Sequence, residues 1–108
     1  MSINEKKLNK MMDELGFRES HLGTPMIREG VRIVDKNPDA LICKDIYPVL
    51  GGGTRSGINN AERNMRAAIQ SAMRNPNWGT VWRGLGGWNK PTTREVVWRL
   101  AREAKYED

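Results

Sequence analysis

Chemistry that depends on cysteine or histidine has almost nothing to work with in this chain. Cys43 and His21 are the only residues of their kinds, so neither an intrachain disulfide nor a Cys/His zinc cluster can be assembled. Hydrophobic runs are scarce as well. Only 38% of residues are hydrophobic, the mean hydropathy is −0.68, and no apolar stretch approaches the roughly 20 residues that span a bilayer. Membrane insertion is therefore not expected. Residues 1–30 are studded with Lys, Asp and Glu and carry no apolar segment followed by small residues, which argues against a signal peptide and for a cytoplasmic protein. Catalytic groupings are also lacking. His21 has no obvious Ser or Cys partner, and Asp13-Glu14 reads as the exposed face of a helix, so the expectation is a protein that is not an enzyme and holds no metal or cofactor.

Positive charge is what the chain has in excess. Its 108 residues suffice for one domain over 1–108. Lys and Arg number 18 against 13 Asp and Glu, a formal charge of +5 with a pI near 9.7. The distribution is uneven. Residues 1–30 carry five groups of each sign, whereas residues 59–94 carry six positive and one negative. Such a local excess points to a polyanionic partner, with nucleic acid the leading candidate.

Hydrophobic spacing predicts an all-α fold of about six helices. Leu8, Met11, Met12 and Leu15 share a helical face that Gly16 terminates. Thr24 and Pro25 suggest the N-cap and first position of a second helix striped by Ile27, Val31 and Val34 and ended by Asn37-Pro38-Asp39. A short third helix is expected from Asp45, through Tyr47 and Pro48, to the glycines at 51–53. After Gly57 the pattern becomes strongly helical. Ile58, Ala61, Met65, Ala68, Ile69 and Ala72 lie on one face, with Asn60, Arg63, Asn64, Ala67, Gln70 and Arg74 on the other. Trp78, Val81, Trp82 and Leu85 suggest a brief fifth element before Gly86-Gly87. Thr92 and Glu95 form a capping-box pattern ahead of a last helix carrying Val96, Val97, Leu100, Ala101 and Ala104.

A short helix, a glycine turn and a longer helix over 45–74 match a helix-turn-helix unit whose second helix, at about 59–74, reads the major groove of double-stranded DNA. Asn60, Glu62, Arg63 and Arg66 are the candidate base readers: Arg suits guanine, Asn suits adenine, and Glu accepts from cytosine. Thr54, Arg55, Ser56, Asn59, Asn64, Gln70, Arg74 and Lys90 are the candidate backbone contacts, the first three through a helix N-terminus that would grip phosphate. The same pattern also fits a plain solvated helix face. The glycine run lacks the Lys-Ser/Thr ending of a phosphate-binding loop. Of four tryptophans, Trp78 and Trp82 are expected in the core, while Trp88 and Trp98 are left open between core and base stacking.

Taken together, Leu15-Gly16, Leu22-Gly23-Thr24-Pro25 with Gly30, Lys44 with Tyr47-Pro48, Glu62-Arg63 and Arg66 with Ala68-Ile69, and Lys90-Pro91-Thr92 resemble the C-terminal DNA-binding domain of stage zero sporulation protein A, a sporulation response regulator. The resemblance spans most of the chain. It implies a six-helix effector domain that binds a short operator as tandem dimers and regulates transcription. Glu62, Arg63 and Arg66 match the family's recognition helix, but Asn60 replaces an Arg and Ala67 replaces a His. Asn60 implies a shift from guanine toward adenine at one base pair. Gly51, Gly52 and Gly53 replace lysines, and the segment from Pro25 to Tyr47 is shorter by about two helical turns. No receiver domain is expected, so control by phosphorylation is not implied.

The leading expectation is a sequence-specific transcription regulator acting on double-stranded DNA, with RNA polymerase or its sigma factor and a homodimer as further partners. The alternative is an adaptor or antagonist that keeps the fold but binds a related regulator or RNA polymerase through the Trp-rich stretch from Trp78 to Trp88.

Overall fold

Asn4 starts the first helix by accepting the Lys7 N–H on its side-chain oxygen at 3.1 Å, and α1 (Glu5–Leu15) follows. This satisfies one of the donors that a helix start leaves open. Leu8, Met11, Met12 and Leu15 are buried, and Gly16 closes the helix in the left-handed region at φ 100°. The computed structural model describes residues 3–88 and 90–105.

The second helix, α2 (Gly23–Lys36), buries Ile27, Val31 and Val34 as predicted, but Thr24 is not its N-cap. Thr24 lies inside the first turn with no exposed surface, and its hydroxyl donates to the Arg18 carbonyl at 2.7 Å. The helix already begins at Gly23, ahead of Thr24, so Leu22 occupies the cap position without a side-chain bond. Pro25 remains in the first turn, where its missing N–H leaves no helix bond unmade.

The third element begins earlier than Asp45. A π-helical turn at Ile42–Ile46 leads into α3 (Tyr47–Leu50). Asp45 reaches back and accepts the Leu41 N–H at 2.7 Å, so it stabilises the start of the segment from within it. Then come α4 (Arg55–Ala72), α5 (Trp78–Gly84) and α6 (Thr93–Glu103). At α6 both halves of the Thr92–Glu95 capping box are formed.

The resulting architecture is all-helical, with six α-helices among the described residues and no strand. Helix α2 is central, packing on α4 and α6, while α3 packs on α4 and α1 on α5 and α6. Leu8, Leu15, Ile27, Val31, Ile46, Met65 and Leu100 meet in one fully buried core. The two ends are tied together: the Asn4 N–H donates to the Ala104 carbonyl at 2.7 Å, and Ile3 bridges Lys105. No helix among the described residues is long and apolar enough to cross a membrane.

Charges on α1 and α2 are matched against one another. Arg32 binds Glu5 across the helix pair, with Nη2 at 2.6 Å and Nε at 3.0 Å, and also Glu29 at 2.8 Å. Arg28 bonds to Glu19 and to the Asn9 side chain. The hydrogen bonds from Arg32 hold the Glu5 carboxyl below the usual carboxylate range despite some opposing burial.

Candidate nucleic-acid interface

Two glycines determine how α4 leaves the turn after α3. A side-chain carbon on Gly57 would overlap the Gly51 carbonyl oxygen, and one on Gly51 would overlap the Gly57 backbone. The bare backbones therefore touch, clamping the end of α3 on the first turn of α4. Thr54 completes the junction from an extended conformation, its hydroxyl accepting the Gly57 N–H at 3.0 Å. Gly57 is thus an interhelical contact inside α4 and not a break before it. Arg55 and Ser56 belong to the first helical turn, Asn59 to the second, and the helix ends at Ala72, short of Arg74.

The inner face of α4 is Ala61, Met65, Ala68, Ile69 and Ala72, all buried. At 3.6 residues per turn the opposite crest carries Asn59, Arg63 and Gln70, and these are exposed, as are Asn60, Arg66 and Ala67. Glu62 and Asn64 are half-buried at the two edges. The Asn64 edge lies against α2, where a side chain on Gly23 would overlap the Asn64 carbonyl. On the other edge, Glu62 and Arg66 form an ion pair at 3.4 Å one helical turn apart.

That second edge faces the start of α6 across a cleft of about 520 Å³. Glu62, Arg66 and Gln70 line it from one side, Lys90, Thr92 and Arg94 from the other. Tyr47 lies beneath; burial pushes its phenol up, with a hydrogen bond to Thr93 opposing the shift. The fold thus brings Lys90 alongside α4 across a gap in sequence. Arg94 joins it, a residue that the sequence reading did not single out although it closes the basic stretch. Arg74 is elsewhere. It shares a separate concavity with Asp13, Glu14 and Arg18, so its surroundings are mixed in sign.

Among the described residues, Arg55, Arg63, Arg74, Lys90 and Arg94 form no ion pair, whereas Arg66 is partly neutralised by Glu62. The crest therefore presents guanidinium and amide donors and amide acceptors to solvent from α4. Groups of these kinds are able to pair with base edges, and cations flank them. Comparison with known proteins adds no assignment: no family model, no curated protein and no solved structure matches the chain.

Proposed function

We propose that the chain is a sequence-specific, double-stranded DNA-binding transcription regulator of the sporulation-regulator type, with α4 as its reading helix. The observation that carries this reading is the exposed crest of α4, whose central cation, Arg63, has no carboxylate partner among the described residues. A guanidinium left unpaired on a crest of amides retains its full capacity for a guanine O6/N7 pair. Asn60 would address an adenine, and Glu62 would accept from a cytosine amino group while its ion pair with Arg66 orients both side chains.

Arg55 and Ser56, in the first turn of α4, together with Thr54, would take one phosphate group at the helix N-terminus. Lys90 would take another across the cleft. Asn59 and Gln70 extend the contact along the crest, Asn64 lies at its α2 edge, and Arg74 would meet the backbone only beyond the helix. In this reading the protein acts in the cytoplasm, a homodimer reads paired half-sites, and regulation passes through RNA polymerase or its sigma factor.

Selection from a randomised duplex library at about 150 mM salt, with anisotropy titration of the winner against scrambled DNA, tests the proposal. A defined motif bound with a preference of roughly a thousandfold is the expected result. Recovery of no motif would overturn it and favour the protein-adaptor alternative.

A further inference from the structure

A second cleft, of about 430 Å³, opens between the α5–α6 connection and α6, and the reader helix makes no use of it. Its wall is assembled by Gly86 and Gly87. A side-chain carbon on Gly87 would overlap the Trp82 indole, and one on Gly86, at φ 87°, would stand 3.1 Å from the Arg99 guanidinium. The turn is thus shaped to let Trp82 and Arg99 line one hollow. Trp82 is buried, and its indole N–H has no acceptor. The Arg94 guanidinium lies 4.9 Å from the centre of the Trp98 ring. Trp88, also on this cleft, is 77% exposed.

Arg94, Arg99 and Arg102 supply cationic groups around the hollow and form no ion pair among the described residues. The carboxylate on this cleft, Glu95, is already committed to the capping box with Thr92. An uncovered indole, a guanidinium plane packed on a second indole, and unpaired arginines ask for a ligand with flat faces and repeated negative charge. Nucleic-acid bases stack on both indole and guanidinium surfaces, and their phosphates pair with arginine. A duplex offers no free base face, because its bases already stack on one another. Arg94 also borders the cleft beside α4, so unpaired positive charge runs from Lys90 through Arg94 to Arg102. A continuous track suits a polymer of phosphates better than a single carboxylate.

We infer that this cleft binds single-stranded nucleic acid, with Trp88 stacking on a base, the Arg94–Trp98 pair presenting a second stacking surface, and Arg99 and Arg102 holding phosphates. The function is distinct from operator reading by α4 and does not depend on it.

The test is anisotropy of a fluorescein-labelled oligothymidylate of about twelve nucleotides, within the usual site size, on the full chain. Trp88→Ala should weaken binding by about tenfold, the lower range for loss of one stacked base. Trp88→Phe should retain most of the affinity, and Arg102→Ala should lower the salt slope by about 0.7. Arg63→Ala should leave oligothymidylate binding unchanged, so failure of operator reading and failure of this inference are separable. Because Trp88 is exposed, its loss leaves the core intact, and a thermal melt confirms it. Wild-type affinity in Trp88→Ala would overturn the inference. So would a Trp88 indole resonance that moves with an oligoglutamate peptide and ignores the oligothymidylate, a result that assigns the cleft to an acidic protein partner.

Discussion

The α1–α2 pair and the α4–α6 pair are built from similar amphipathic helices, yet they treat arginine in opposite ways. In α2, Arg28 and Arg32 are bound to Glu19, Glu5 and Glu29, and residues 1–30 have no net charge. On α4 and α6, Arg66 pairs with Glu62, but Arg55, Arg63, Arg94, Arg99 and Arg102 form no ion pair among the described residues. Arginines paired within the fold are occupied as structural cross-links; those without a carboxylate keep their donors open. Net charge alone indicates only that some polyanion is attracted. The pairing pattern picks out the surface on which the proposal rests.

The comparison can be broken at its base by disturbing how α4 is held. Gly57→Ala forces a side chain into the Gly51 backbone and should cost about 1–3 kcal/mol of stability, as overpacking does. A thermal melt measures the loss, and duplex binding should fall with it because α4 is displaced from α3. Removing Arg55 sharpens the same contrast without touching the core. Arg55→Ala should lower the salt slope of duplex binding by about 0.9, the value of one phosphate contact, while the melting temperature stays unchanged.

The opposite outcome is expected from α2. Arg32→Ala removes an equal charge but breaks the Glu5 and Glu29 contacts, so it should cost up to about 1 kcal/mol of stability, since these partners are well exposed. Duplex affinity should not change. The smallest effect concerns pH. Arg32 depresses the Glu5 carboxyl, so its stabilisation is complete above the unfolded value and disappears as pH falls through the folded one. The stability difference between wild type and Glu5→Gln should therefore narrow as pH drops below the ordinary glutamate value of about 4.3, in melts recorded across the acid range.

Much of the fold was legible because its signals are local. The Leu8–Leu15 stripe, the α4 inner face and the Thr92–Glu95 box depend on spacing within a single helix, and burial of Trp78 and Trp82 follows the same logic. Thr24 was misread because its hydroxyl binds a carbonyl in the preceding loop, a choice that no local pattern records. The helical pattern was read as beginning after Gly57, whereas α4 starts at Arg55; the role of Gly57 appears only when α3 lies against α4. The π-helical turn at Ile42–Ile46 likewise leaves no periodic signature.

At the candidate interface, helical periodicity identified the exposed crest, whereas the Glu62–Arg66 ion pair emerged only with the structure. The cleft joining Arg66 to Lys90 and Arg94 was harder to see, since its sides come from different helices. The tryptophan–arginine hollow was hidden for the same reason: Trp82, Trp88, Trp98 and Arg102 converge only when the turn after α5 lies against α6.

Side-by-side anisotropy titrations of Arg63→Ala and Arg32→Ala, on the enriched duplex and on scrambled DNA at about 150 mM salt, test the central claim most directly. The account predicts that Arg63→Ala loses about 1–3 kcal/mol of discrimination while Arg32→Ala discriminates as wild type does. Equal losses for the two variants on both DNAs would contradict it, reducing α4 to one more solvated helix.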